Sequence, residues 1–233
     1  MSPSVVVVRD ATVLAHAVAA RLLTVVADAQ AAHGEASVVL AGGTVAIAAL
    51  AAVRDSPARD AVDWARLNLW WGDERYVAAD SPDRNELQAR RALLDHVPVD
   101  PERVHPMGAL GEDVDEAAAR YAAGLPESFD VLLLGMGPEG HTASIFPESP
   151  AAYDARSVFA VRDCPKPPPT RISLGFSALN TAREVWMVAS GAEKAEAVAL
   201  ALGGADRVLC PAAGPTGTEA TRWLLDEAAA SLL

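Results

Sequence analysis

The chain has 233 residues, of which 51% are hydrophobic, and a formal net charge of −12 from 19 basic and 31 acidic side chains. This size can bury a substantial core. The acidic balance argues against nucleic acid or an anionic membrane as a partner, because both are bound through basic surfaces. An apolar run of about 20 residues is not evident, so no transmembrane helix is expected. Two cysteines without paired spacing, and no basic leader, favour the cytoplasm.

Strands and helices are predicted to alternate along the chain. Short apolar runs predict strands at residues 5–8, 37–41, 68–71, 131–134, 157–161, 171–174 and 184–189. Helices are predicted at about residues 11–32, 45–53, 84–96, 112–123 and 192–202, and an alanine-rich helix is predicted to close the chain. This order predicts one α/β domain over residues 1–233, with an open, mainly parallel sheet and helices on both faces, as in Rossmann-like folds. Such sheets bind ligands at the carboxyl ends of their strands.

The first strand-end loop of interest is Gly42-Gly43-Thr44, between a strand and a helix. Two glycines let backbone N–H groups approach a ligand, and the following helix N-terminus favours an anion. The loop therefore predicts a phosphate cradle, although a plain tight turn has the same composition. It has neither the Walker pattern nor a full dinucleotide fingerprint, so a nucleotide is not implied.

A second loop, Gly72-Asp73-Glu74-Arg75, follows the strand at 68–71. The Arg75 guanidinium is a planar fork suited to phosphate or carboxylate oxygens, and Asp73 is a candidate for catalysis. Asn85 is predicted either to cap a helix or to present its amide to a ligand. The alternative for the charged residues is an ordinary surface ion pair.

A third loop, residues 135–147, carries Glu139 and His141 two residues apart in a glycine-rich turn after a buried strand. Histidine exchanges protons near neutral pH, so His141 is the candidate general base. A loop hydrogen bond is the alternative interpretation of a single histidine in such a turn.

Two further cations are candidates for phosphate binding. Lys194 lies in the predicted first turn of a helix, where the helix dipole disfavours a cation unless an anion is bound. Arg171 directly follows a proline-rich loop. For both residues, an exposed charge is the competing interpretation.

Other kinds of site are not indicated. No set of His, Cys and acidic residues has metal-ligand spacing, so a reaction without metal or cofactor is expected. No serine lies in a Gly-x-Ser-x-Gly elbow, which argues against a serine hydrolase.

These segments, in this order, resemble the 6-phosphogluconolactonase family. The matching segments are LAGGT (40–44), WWGDERYV (70–77) with residues 83–86, GMGPEGHTASIFP (135–147), PPTRIS (168–173) and ASGAEKAEA (189–197). They extend over residues 40 to about 200 and are specific in combination. The resemblance implies the fold shared by glucosamine-6-phosphate deaminases and these lactonases, and hydrolysis of 6-phospho-D-glucono-1,5-lactone.

The resemblance also implies roles for the candidate residues. His141 would be the general base, with Glu139 or Asp73 orienting the imidazole or the water, and the sequence leaves both open. The same match implies that the following residues bind the phosphate: Gly42, Gly43, Thr44, Arg75, Asn85, Arg171 and Lys194. Main-chain N–H groups between Gly135 and Gly140 would stabilise the oxyanion. The expected partner is the small sugar-phosphate lactone, and the expected state is a monomer or weak homodimer.

Two alternatives remain at this level. One is a glucosamine-6-phosphate deaminase-like isomerase, but those enzymes have a catalytic glutamate soon after the histidine, whereas here no acid precedes Glu148. The other is a sensor that binds the sugar phosphate without turnover. One departure from the lactonase pattern is Glu139, where aspartate is common. Another is Thr44 in place of a frequent serine.

Overall fold

The computed structural model of the protein describes residues 2–233. The strands in this range are β1 (Ser4–Val8), β2 (Ala36–Leu40), β3 (Leu67–Trp71), β4 (Asp73–Arg75), β5 (Val131–Gly135), β6 (Val158–Val161), β7 (Arg171–Leu174), β8 (Glu184–Ala189) and β9 (Ala220–Asp226). The α-helices are α1 (Ala11–His33), α2 (Thr44–Asp55), α3 (Asn85–Ala92), α4 (Val114–Gly124), α5 (Phe176–Leu179) and α6 (Ala195–Leu202).

The main sheet has six parallel strands in the order β1-β9-β8-β5-β2-β3. Neighbouring residues on a strand belong to hydrophobic clusters on opposite faces of the sheet: Val38 packs with α1, α2 and α3, whereas Val39 packs with α4 and α6. The predicted open parallel sheet with helices on both faces is therefore confirmed. Burial on both faces explains why these strands are nearly continuous apolar runs.

A second, antiparallel sheet of order β4-β7-β6 packs on the α4 and α6 side. The sequence analysis did not anticipate it, since it treated residues 72–75 as a loop. Only Gly72 separates β3 from β4, and the chain then leaves the main sheet to pair Glu74 with Ile172. Strands β6 and β7 were predicted from their apolar residues, whereas β4 gives no local signal, because it is only three residues long and pairs with β7 across almost 100 residues.

Two predicted helices differ in the structure. The helix predicted at 84–96 ends at Ala92, and residues 94–96 form a separate 3₁₀ turn. The closing alanine-rich helix was wrong: residues 227–232 form turns. Strand β9 continues to Asp226, whose carboxylate accepts the Ala229 N–H at 2.8 Å, and too few residues then remain for a stable helix.

Helix α1 has the length and hydropathy of a membrane span, with a mean hydropathy of 1.5 over an 18-residue window. The chain therefore does contain an apolar run of about this length, contrary to the sequence analysis, although the helix is only a weak candidate for a membrane span. Core helices of globular folds meet the same criterion, so the property is weak evidence of a membrane segment. In the structure, Leu14, Val18, Leu22 and Val26 are buried against the sheet and α2, as expected of a core helix.

Candidate active site

Loops at the carboxyl ends of β2, β3, β5 and β8 open on one cleft of about 560 Å³. The cleft lies where β2 and β5 are neighbours and their onward connections run in opposite directions, the usual ligand position in an open α/β sheet. Most of the predicted site residues line it: Gly42, Gly43, Thr44, Asp73, Arg75, Asn85, His141, Arg171 and Lys194. Glu139 lies behind His141.

His141 is held by the tight turn that follows β5. The Gly137 N–H donates to the His141 carbonyl at 2.9 Å, and the Gly140 N–H donates to the Gly137 carbonyl at 3.0 Å. These two amides are occupied inside the turn, so they are not available as the oxyanion donors expected from this loop. The imidazole stacks on Phe146 at a centroid distance of 4.4 Å. Its Nδ1 lies 2.9 Å from Oε1 of Glu139.

The protonation states of this pair follow from burial and charge. Burial lowers the pKa of His141 below its ordinary value of 6.5, and this outweighs the opposite effect of Glu139. Burial alone would raise the pKa of Glu139, but hydrogen bonding to Lys166 and the interaction with His141 bring it below 4.5. At neutral pH the pair is a neutral imidazole beside a carboxylate. Nδ1 then carries the proton, and Nε2 is the proton acceptor.

Asp73, the other candidate to orient His141, is occupied elsewhere. Its Oδ2 accepts a hydrogen bond from Ser144 Oγ at 2.6 Å, and its Oδ1 accepts from Asn85 Nδ2 at 3.2 Å. The carboxylate is thus fixed at the wall of the cleft, where it can accept a hydrogen bond from a ligand hydroxyl. Ser144 is fully buried and was not anticipated. Its position three residues after His141 was the only sequence signal.

Glu74 organises the part of the cleft formed by β4 and α3. Its buried carboxylate accepts the backbone N–H groups of Arg75, Asn85 and Glu86 at 2.8–2.9 Å. Burial raises the pKa of Glu74, opposed by these hydrogen bonds and by the nearby Arg84 guanidinium. The carboxylate satisfies free N–H groups at the start of α3 and joins that helix to β4.

This arrangement brings the side chains of Arg75 and Asn85 together. Arg75 donates from one guanidinium nitrogen to Asn85 Oδ1 and to the Asp83 carbonyl, both at 2.8 Å. The remaining guanidinium donors are available on the cleft side. Asn85 is the first residue of α3 and its side chain supports Arg75, whereas the cap position is held by Arg84, so the predicted cap was wrong.

The Gly42-Gly43-Thr44 loop lines the cleft beside Asn85. Gly43 has φ of +97° and precedes α2, whose first turn has no side-chain cap. Gly42 has no room for a side chain, because a Cβ there would lie 2.0 Å from Asn85 Oδ1. The loop thus places the first turn of a twelve-residue helix, which has no side-chain cap, at the cleft, an arrangement suited to an anion.

Lys194 ends a short 3₁₀ turn (Ala192–Lys194) before α6, rather than lying in α6 itself. Burial lowers the pKa of Lys194, and its side chain is only 19% exposed. The preceding Gly191 has φ of +101°, and its N–H donates to the buried carboxylate of Asp226 at 3.1 Å. Asp226 therefore fixes the loop that presents Lys194 to the cleft.

Arg171 has a different environment from the other cations. Its donors reach the carbonyls of Lys166, Pro167 and Pro168 at 3.2–3.3 Å. Its NH1 lies 3.8 Å from Asp73 Oδ2, and the side chain is only 7% exposed. The residue lines the cleft, but its guanidinium mainly fastens the proline-rich loop.

Lys166 is the functional candidate that the sequence reasoning missed. Its Nζ lies 2.8 Å from Oε1 of Glu139, beside His141. A compositional signal existed: only two of the 19 basic residues are lysines, Lys166 and Lys194. Both lie at this site, whereas every other basic residue of the chain is an arginine. The ammonium of lysine is a more compact charge than the guanidinium of arginine.

The remaining histidines and the possible metal ligands were also located. His105 stacks on Trp70 at 3.9 Å, and burial lowers its pKa, as expected of a structural residue. His33 contacts Asp130 at 3.1 Å, away from the cleft. Within residues 2–233, no group of three or more His, Cys, Asp or Glu side chains is placed to hold a metal ion.

The sequence of the chain is similar to those of known proteins. Residues 9–223 match the family model of glucosamine-6-phosphate isomerases/6-phosphogluconolactonase. The chain belongs to this family. A 6-phosphogluconolactonase of Streptomyces coelicolor is 54% identical over 248 residues, covering 100% of this chain and 95% of the relative. The resemblance to this family that the sequence motifs indicated is therefore confirmed.

Solved structures of the family have the same fold. The crystal structure of 6-phosphogluconolactonase from Thermotoga maritima superposes with a TM-score of 0.86 at 26% identity, covering 96% of this chain and 99% of that one. A monomeric glucosamine-6-phosphate deaminase superposes with a TM-score of 0.83, covering 99% of this chain and 100% of that one, at 18% identity. The second likeness concerns the fold alone.

Proposed function

We propose that the chain hydrolyses 6-phospho-D-glucono-1,5-lactone to 6-phospho-D-gluconate, the second step of the oxidative pentose phosphate pathway. The observation that carries the proposal is the neutral His141 imidazole, hydrogen-bonded through Nδ1 to Glu139 and facing a cleft lined by Arg75 and Lys194. A proton acceptor beside cationic groups fits a substrate that combines a carbonyl with a phosphate. The full-length similarity to a 6-phosphogluconolactonase supports the same substrate.

In the proposed reaction, His141 is the general acid and base. Nε2 removes a proton from water as its oxygen attacks C1 of the lactone, which gives a tetrahedral oxyanion. When the intermediate collapses, the bond from C1 to the ring oxygen breaks and the imidazolium returns the proton to that oxygen. Acid–base catalysis of this kind contributes about 10²–10⁴-fold. Glu139 stabilises the imidazolium that forms transiently.

Phosphate binding places the lactone for this step. Arg75, Lys194 and the N–H groups at the start of α2 supply positive charge and donors to the remote phosphate. Binding energy at that end orients the carbonyl against His141. Asp73, held by Ser144 and Asn85, accepts a hydrogen bond from a sugar hydroxyl.

The decisive experiment is a pH-stat lactone assay, corrected for spontaneous hydrolysis, on wild type and His141→Ala. We expect the variant to lose about 10²–10⁴-fold in kcat while still binding 6-phosphogluconate, since the phosphate groups remain. His96→Ala, a change at an exposed histidine, is the matched control and should retain activity. Near-normal kcat in His141→Ala would refute the assigned role.

A second comparison tests the phosphate site. Arg75→Ala should raise KM strongly, whereas Arg66→Ala should not, because Arg66 is 62% exposed and pairs only with Asp63. An unchanged KM in Arg75→Ala would remove Arg75 from the phosphate site.

Ammonia release from glucosamine 6-phosphate would favour the deaminase alternative, and binding of 6-phosphogluconate without any lactone turnover would favour a sensor.

The cellular setting is part of the same proposal. Cys164 and Cys210 are both buried and unpaired, in keeping with a reducing cytoplasm. The partner is the small phosphorylated lactone, and neither nucleic acid nor membrane is required. A monomer or weak homodimer remains the prediction for the assembly, which sedimentation at several concentrations would test.

A further inference from the structure

Lys166 contacts both members of the His141 pair. Its Nζ lies 2.8 Å from Oε1 and 3.0 Å from Oε2 of Glu139, so the ammonium bridges the two carboxylate oxygens. The same Nζ is 3.5 Å from Nδ1 of His141 and 5.8 Å from the ring centre of Phe146. Glu139 is therefore held from two sides, by the imidazole and by the ammonium.

The backbone that carries Lys166 is itself fastened. Arg171 donates to the carbonyls of Lys166 and Pro167, and the Cys164 N–H donates to the Pro169 carbonyl at 2.9 Å. Proline restricts the backbone of the intervening segment. A long, flexible side chain thus starts from a fixed point, which lowers the entropy lost when its ammonium is held at Glu139.

We propose that Lys166 is a positioning residue, which holds the Glu139 carboxylate against Nδ1 of His141 and so presents Nε2 of the imidazole to the substrate. The inference rests on the proposed function, because it takes His141 as the base. The Nζ of Lys166 contacts the Glu139 carboxylate directly, so its proposed action on His141 passes through Glu139.

The need for such a residue follows from the side chain at position 139. Glutamate has one more rotatable bond than aspartate, so its carboxylate is less confined by its own backbone. About a third of the Glu139 side chain is open to solvent, with an exposure of 35%. The ammonium, with three donors, replaces the restraint that a shorter side chain would supply by itself.

Lys166 also adjusts the charge around His141. Three charged groups influence the pKa of His141: Asp73 on β4, Glu139 after β5 and Lys166 in the proline-rich loop. Glu139 and Lys166 also influence the pKa of Lys194. The carboxylates raise the pKa of His141, whereas Lys166 lowers it. Removal of the ammonium leaves Glu139 uncompensated and stabilises the imidazolium.

The test compares Lys166→Met with Lys166→Arg, and uses Arg162→Met as a matched control. Arg162 is a cation near the same loop, but it pairs with Asp115 and is 53% exposed. Two-bond ¹H–¹⁵N spectra of labelled histidine report the pKa and the tautomer of His141, assigned by the signal lost in His141→Asn. These spectra are read without any turnover, and kcat and KM are measured separately on the lactone.

We expect Lys166→Met to raise the pKa of His141, to weaken the preference for the Nδ1–H tautomer, and to lower kcat by up to about 10²-fold with little change in KM. Lys166→Arg should restore most of each property, and Arg162→Met should resemble wild type. An unmoved His141 titration and tautomer in Lys166→Met would overturn the proposal, as would a raised KM at unchanged kcat. If wild type lacks lactonase activity but the spectra shift as expected, the proposed function fails while the contact stands.

Discussion

Gly137 leaves the space that the His141 imidazole occupies. A Cβ at position 137 would lie 2.0 Å from Nδ1 of His141 and 2.4 Å from Oε2 of Glu139. The clash would involve the ends of two side chains and no backbone atom, so the side chains can move away while the fold remains. The glycine is therefore required for the geometry of the imidazole–carboxylate pair, and less for the stability of the turn.

Gly137→Ala should consequently separate activity from stability. We expect kcat to fall by about 10²-fold, the effect of a misplaced catalytic group, with Tm nearly unchanged. Gly124→Ala is the control, because a Cβ there has only an ordinary contact of 3.8 Å with Trp70. A large drop in Tm for Gly137→Ala, or normal kcat, would contradict this account of the glycine.

The pH dependence of kcat/KM should reflect the low pKa of His141. Protonation of Nε2 removes the base, so activity falls as pH decreases through the pKa of the folded protein. Because burial places that pKa below 6.5, activity should persist to a lower pH than an exposed histidine would allow. A pH profile at low ionic strength measures this acidic limb. A midpoint at or above 6.5 would show that another group controls the rate.

Glu74→Gln should weaken both the fold and the phosphate site. The amide would place N–H donors against one of the three backbone N–H groups that now donate to Glu74, and would leave the buried Arg84 guanidinium with only the Glu86 carboxylate as a counter-charge. Loss of one partner of a buried ion pair costs about 3–5 kcal/mol. We expect urea unfolding to show a loss of about this size, and kinetics to show a raised KM as Arg75 and Asn85 loosen. The exposed acid Glu219 provides the control Glu219→Gln, which should change neither quantity.

Lys194 can be observed directly, since Lys166 and Lys194 are the only two lysines. Reductive ¹³C-methylation keeps the charge and labels both lysines together with the α-amino group, and the loss of one signal in Lys166→Arg and of another in Lys194→Arg assigns the two lysines. The Lys194 signal should titrate at a lower pH in the folded protein than after unfolding in urea, because burial lowers its pKa. Bound 6-phosphogluconate should move that titration to higher pH, since the phosphate stabilises the ammonium. No ligand effect on the signal would argue against Lys194 at the phosphate.

The site could be predicted from the sequence to the extent that its parts are local. Gly42, Gly43, His141 and Lys194 each follow a strand, and strand-end loops of a parallel sheet gather at one edge. Hydrophobic runs reveal the strands of the main sheet, because burial on both faces demands apolar residues at every position. The fold class and the location of the cleft were therefore encoded in short segments.

The sequence by itself determined the parallel sheet and the strand-end cleft, and it predicted His141 as the imidazole of the site. Only the tertiary structure decided between Glu139 and Asp73 as the carboxylate that contacts His141, and revealed Lys166 as the third member of that cluster. It also placed Arg171 on the proline-rich loop. There are two physical reasons. Some of these contacts join residues that are 25 or more positions apart, and the others depend on the direction in which a side chain points. Spacing along the chain specifies neither.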